Sequence, residues 1–201
     1  MKENYYHLCV VLDASGSMDQ IADDIKGTFN NFMAEQKREE GKNVLDVFQF
    51  SDDVERIVDR LDMAQYKGNL MDSYKCCGCT ALYDAICTAI DTIGREFSEM
   101  DESERPEKVI FVIVTDGHEN ASREFSLKDV KERIDRQSSR YNWEFIYLAA
   151  KQEIFEAEQI SRSLGVNHFS SCKTMDCLAS MTSATLCKSM KRPGHRPKKK
   201  D

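Results

Sequence analysis

The sequence predicts one α/β domain, a doubly wound and mainly parallel six-stranded sheet with one antiparallel edge strand and helices on both faces. Three observations predict it. Apolar runs alternate with amphipathic stretches along almost the whole chain. The most apolar run, "VIFVIV" (Val109–Val114), has the unbroken character of a strand covered on both faces. One turn, "SDD" (Ser51–Asp53), is too short to return the chain for a parallel pairing.

In chain order, "YYHLCVVLD" (Tyr5–Asp13) reads as a buried strand. Ile21, Ile25, Phe29, Phe32 and Gln36 then recur at helical spacing, apolar at all but the last position. "NVLDVFQF" (Asn43–Phe50) is a second strand, and "VERIVDRL" (Val54–Leu61), reached through the short turn, must run antiparallel to it. The charges of that third strand suit an exposed edge. Leu82, Ile86, Ile90, Ile93 and Phe97 mark a second helix, and "VIFVIVTDG" is the fourth strand. Leu127, Val130 and Ile134 mark a third helix, followed by the strand "WEFIYLA" (Trp143–Ala149). A helix from about Ile154 to Leu164 should end at Gly165 as its C-cap. "NHFSS" (Asn167–Ser171) is a short last strand, and a weaker helical pattern runs from Thr174 to about Met190. There is no internal repeat. Residues 1–190 are read as the domain, and residues 191–201, "KRPGHRPKKKD", as a basic disordered tail without an apolar side chain.

Length and composition bound the function. At 201 residues the chain can bury a sizeable core, and 41% hydrophobic with 31% charged residues is ordinary for a soluble protein. No apolar run is long enough to span a bilayer, so no membrane role is expected. The first residues show no small-residue cleavage site, which reads as no signal peptide and a cytoplasmic location. The eight cysteines fit that compartment as mostly free thiols. The net charge of −7 is uneven: from Lys188 onward the chain carries +6, leaving −13 on the remainder. Such an acidic body is unsuited to nucleic acid, which could engage only weakly through the tail.

One stretch does more than turn the chain. "DASGS" places Asp13, Ser15 and Ser17 at every second position after the first strand, and oxygen is what hard cations bind. A second aspartate, Asp116, ends the "VIVT" strand. In doubly wound sheets ligands bind at the carboxyl ends of strands, where the strand order reverses. If the two strands are neighbours, their carboxylates share one crevice and repel each other unless a divalent cation intervenes. Thr80, near the start of the second helix, can bring another hydroxyl to the same end.

These residues resemble the metal-ion-dependent adhesion site of von Willebrand factor type A domains. The family pattern is Asp-x-Ser-x-Ser, then a distant Thr, then a distant Asp, and Asp13, Ser15, Ser17, Thr80 and Asp116 match it in order. The resemblance covers roughly residues 5–171 and implies a Rossmann-like fold. It also implies Mg2+, with Mn2+ possible, held directly by Ser15 and Ser17. Asp13 and Asp116 would act mostly through water, or directly in some states, and Thr80 would join when a partner is engaged. The partner would be another protein that contributes an Asp or Glu to the metal. The sequence departs from the pattern just before Thr80, where "KCCGC" places three cysteines beside a hard-metal loop.

Plainer readings compete. Asp13 and Ser17 could simply cap the first helix. Cys76 with Cys79, and Cys172 with Cys177, have zinc-site spacing, but the pairs flank different parts of the sheet. The Cys76–Cys79 spacing also suits a redox pair, and reduced thiols are the remaining option. Cys9 and Cys87 read as core residues. His118 is a loop residue at the rim, or else a base, and "NAS" (Asn120–Ser122) has glycosylation spacing that is idle in the cytoplasm. The rival class is a metal-dependent hydrolase or phosphotransferase. It would want a second aspartate where Ser15 stands, a lysine, a base and a phosphate loop, and neither "GxxxxGK" nor "GxGxxG" occurs. The sequence therefore reads as a non-enzymatic protein-binding module.

Overall fold

Six strands pair into one sheet in the order β3-β2-β1-β4-β5-β6. They are β1 (Lys2–Asp13), β2 (Lys42–Phe50), β3 (Val54–Asp62), β4 (Pro106–Thr115), β5 (Glu144–Ala150) and β6 (His168–Cys172). The computed structural model describes residues 1–37, 41–68, 71–116, 118–150, 154–166 and 168–172. Every pairing is parallel except β2 with β3, the antiparallel edge expected from the short turn. The helices are α1 (Ala22–Gln36), α2 (Leu82–Glu99), α3 (Leu127–Tyr141) and α4 (Ile154–Leu164). The expected helix from Thr174 and the basic tail lie outside the described residues.

Alternation along β1 builds two cores. Leu8, Val10 and Leu12 face one side, where Ile25, Phe32 and Met33 of α1 cover them. Cys9 and Val11 face the other, against α2, α3 and α4. A strand buried on both faces needs apolar residues at both parities, which is why β1 and β4 read as unbroken runs. Helix α2 presents Ile86, Ile90, Ile93 and Phe97 to the second core, all buried. Helix α3 starts on a reciprocal cap, in which the Ser126 N–H donates to Asp129 Oδ2 (2.8 Å) and the Asp129 N–H to Ser126 Oγ (3.4 Å). Gly165 follows α4 at φ +82°, the left-handed C-cap expected of it.

The structure adds three details to the sequence reading. β1 begins at Lys2, because the Lys2 N–H donates to Arg105 O (2.8 Å) across a register shift. The shift includes Asn4 at φ 56°. Residues Gly16–Ile21 form a tight 3-10 turn, so α1 starts only at Ala22. The long segment between β3 and α2, to which the sequence reading assigned no element, is packed. It buries Met63, Tyr66, Met71 and Tyr74 against the α1 core.

Candidate metal centre

The strand order reverses between β1 and β4: from β1 the chain crosses to β2 on one side and reaches β4 on the other. That reversal makes the carboxyl ends of these two strands the place for a ligand. Asp13 ends β1, and Asp116 follows directly on β4. The two aspartates are therefore neighbours, as the sequence reading required.

Asp13 is fully buried, and both of its oxygens are engaged. Oδ1 accepts from the Ser15 N–H (2.7 Å) and Oδ2 accepts from Thr115 Oγ1 (2.5 Å). Burial pushes its carboxyl above the ordinary range, the Thr115 and Ser15 hydrogen bonds oppose this, and the Asp116 charge adds to the rise. From Asp13 a line of oxygens leads outward. Ser15 Oγ lies 3.1 Å from Ser17 Oγ, and Ser17 Oγ donates to Asp116 Oδ1 (2.6 Å). Ser15 is buried, Ser17 exposed and Asp116 half-buried, so the line runs from core to surface.

These oxygens suit magnesium. Adjacent ligands of an octahedron with metal–oxygen distances of about 2.0–2.1 Å stand about 2.9 Å apart. The 3.1 and 2.6 Å separations bracket that edge. The donors are all hard oxygens, which favours magnesium or manganese over softer ions. Among the described residues no three His, Cys, Asp or Glu side chains gather as a metal site. Cys9, Cys76, Cys77, Cys79 and Cys87 are free, and Cys177 lies outside the described residues. The capping reading meets a different geometry: the first turn has Ser15 at its N-cap without a side-chain capping bond.

The cysteine-bearing loop has a structural explanation. It is stapled to the first loop by backbone bonds, the Cys77 N–H to Ala14 O (2.8 Å) and the Gly16 N–H to Gly78 O (3.1 Å). Cys77 and Cys79 are exposed and Cys76 half-buried, so no thiol is needed for this docking. Gly78 is the demanding position. Its φ is +76°, and a Cβ there would meet Asp52 Oδ2 at 2.0 Å. Gly78→Ala should therefore cost about 1–2 kcal/mol in urea unfolding, chiefly through left-handed backbone strain because the Asp52 side chain can swing aside.

Thr80 is buried on this same loop. Its N–H donates to Asn120 Oδ1 (2.9 Å), and its carbonyl accepts from the Asn120 N–H (3.1 Å). Thr80 is thus clamped to the loop that carries Asp116. A second clamp follows: Ser122 Oγ accepts from the N–H groups of Tyr83 (3.0 Å) and Asp84 (3.1 Å). Glu119 receives the Ser122 hydroxyl (2.7 Å). The "NAS" residues at both ends of the triplet are therefore engaged in joining two loops. His118 stands at the rim, 66% exposed, with Nε2 2.5 Å from Glu156 Oε1 of α4.

Sequence reasoning named five oxygen-bearing residues, and the structure brings all five to one end of the sheet. It missed three supports. Thr115 was readable as the hydroxyl beside Asp116. Tyr74, whose hydroxyl donates to Asp13 O (2.6 Å), gave no signal across 61 residues, and Asn120 read only as a glycosylation triplet.

Comparison with known proteins agrees with this architecture. The family model described as von Willebrand factor type A domain matches residues 7–183. Similar solved structures include the PilB minor pilin of Streptococcus sanguinis, in a mutant form (TM-score 0.68, 10% identity, 94% of this chain and 62% of that one). Others are a von Willebrand factor type A protein of Catenulispora acidiphila (0.64, 16%, 93% and 43%) and the conserved hypothetical protein BatB of Bacteroides thetaiotaomicron (0.63, 12%, 93% and 100%). At these identities the likeness is one of fold. The chain spans less than two thirds of the first two proteins, 62% and 43% of their lengths. No curated protein sequence matches significantly.

Proposed function

The chain belongs to the von Willebrand factor type A domain family, and from that premise we propose that it docks an acidic residue of a partner protein through Mg2+ held by Asp13, Ser15, Ser17, Thr80 and Asp116. Domains of this family are generally non-enzymatic protein-interaction modules. The observation that carries the finer reading is the line of oxygens from buried Asp13 through Ser15 and Ser17 to Asp116. When bound, the ion supplies positive charge and an open position for a carboxylate oxygen. Ser15 and Ser17 hold it to the first loop, and Asp13 and Asp116 balance its charge. Thr80, on the clamped second loop, adds a neutral hydroxyl for the partner-engaged state. The rival hydrolase reading gains nothing from His118, its candidate base, which is exposed and in contact with Glu156. No helix among the described residues is long and apolar enough to cross a membrane. Free thiols at the site loop suit a reducing compartment such as the cytoplasm.

Calorimetric titration of metal-free protein tests this. Mg2+ and Mn2+ should each fill one site per chain, and Ser15→Ala should abolish it. Thr80→Ala should retain the metal heat yet weaken magnesium-dependent partner binding by about 1–3 kcal/mol, because it removes an oxygen used mainly in the engaged state. Normal metal binding by Ser15→Ala would overturn the site.

A further inference from the structure

The opposite end of the sheet carries a second concavity. It lies between the last turns of α2 and α3, over the amino ends of β4 and β5, and encloses about 600 Å3. That volume is within the range of small-molecule sites, about 300–1,000 Å3. Its floor is apolar, with Phe97, Val109 and Trp143 each less than a tenth exposed. Two of the four large apolar side chains exposed among the described residues, Met1 (60%) and Tyr141 (53%), line it too. Gly94 keeps the α2 wall low: a Cβ there would press on Gln137 Nε2 at 3.3 Å.

The charges around this floor are unbalanced. Asp91 is taken by Arg133 (2.8 Å), and Glu107 accepts the Asn4 N–H (2.9 Å). Arg105 spends its guanidinium on the carbonyls of Met100 and Ser98. Arg95 and Arg136 also line the concavity, and neither meets a carboxylate among the described residues. Two unneutralised guanidiniums beside an aromatic floor are conspicuous in a protein of net charge −7. Guanidinium matches a carboxylate with paired donors and also stacks on aromatic rings. We propose that this concavity is a ligand site for a small aromatic carboxylate, whose ring rests on Phe97 and Trp143 and whose anion is held by Arg95 and Arg136. The site is independent of the metal centre and requires no magnesium.

Trp143 is the only tryptophan, so its indole N–H gives a single resonance in a nitrogen-15 correlation spectrum. Titrating the full chain with 2-naphthoate should shift that resonance saturably, equally with magnesium or with chelator. The uncharged analogue 2-naphthalenemethanol should bind at least about tenfold more weakly. Arg95→Gln with Arg136→Gln should remove that preference while leaving the rest of the spectrum and the melting temperature unchanged. A shift that does not saturate, equal binding of the uncharged analogue, or an unaltered preference in the double variant would overturn the proposal. So would a response to an acidic aromatic peptide with none to 2-naphthoate, which would make the surface a peptide groove.

Discussion

Replacing Asp46 by alanine should lower the unfolding free energy by about 3–5 kcal/mol, the cost of breaking a buried ion pair by removing one partner. Asp46 lies in the middle of β2 and is fully buried. Its Oδ2 stands 2.7 Å from Nε2 of His7, which is buried as completely and packs edge-on against Phe97. Its Oδ1 accepts from Arg56 Nε (2.7 Å) and from the Arg60 N–H (3.0 Å). Arg56 in turn reaches Glu96 of α2 (2.5 Å), so one carboxylate ties β1, β2 and β3 to a helix. Without it, His7 loses its contact and its Nδ1 already has no hydrogen-bond partner among the described residues. Arg56 keeps Glu96. Asp46→Asn preserves volume and the Oδ1 contacts, so its loss should be smaller, about 1–3 kcal/mol.

The same group sets a pH dependence. Burial alone would raise the Asp46 carboxyl, but His7, the Arg60 N–H and Arg56 outweigh it and hold it below the ordinary 3.8. Between the folded and unfolded values the unfolded chain binds more protons, so stability rises with pH there. The contribution is complete above the unfolded value and vanishes as pH falls through the folded one. Urea titrations of wild type and Asp46→Asn should show a gap that closes as pH falls below about pH 4. A gap unchanged at pH 2 would contradict the assignment to Asp46.

Asp46 also shows where the sequence was mute. A single aspartate inside "NVLDVFQF" resembles an outward-facing strand position, and nothing nearby marks His7, which precedes it by a whole helix and lies on the neighbouring strand β1, as its partner. Regular elements declared themselves because strands buried on both faces are apolar throughout and a helix must put one side chain in three or four into a core. The segment from Met63 to Tyr74 has no such period, and its four buried anchors stayed invisible until folded. The candidate site residues were legible for a different reason. Asp13, Ser15, Ser17 and Asp116 are polar where an apolar run has just ended, which makes their residue types informative, and Thr80 stands out through the family pattern. The supports Tyr74 and Asn120 act through a backbone carbonyl and a backbone N–H, and a sequence does not encode which backbone group a side chain will meet.

Asp13→Asn should separate the metal from the fold. An amide fits the same space. Its oxygen can accept the Ser15 N–H, and its NH2 can donate to the Thr115 hydroxyl, which turns its own hydrogen elsewhere. The 3-10 turn that positions Ser15 and Ser17 is thereby retained. What disappears is one of two negative charges in a poorly solvated crevice. For the metal-free protein this removes a desolvated anion and its repulsion from Asp116, so stability should hold or rise slightly. For magnesium the loss is severe, because the ion then faces one carboxylate instead of two. Affinity should fall by at least about 100-fold, the upper end of what outer-shell substitutions alone produce. Thermal unfolding makes the contrast direct. Saturating Mg2+ should raise the wild-type melting temperature by mass action, and chelator should return it without loss of a cooperative transition. Asp13→Asn should melt at or above the chelated wild type and ignore magnesium altogether. If it melts far below the chelated wild type, Asp13 is chiefly a structural anchor of the first loop, and its buried charge is not there for a cation.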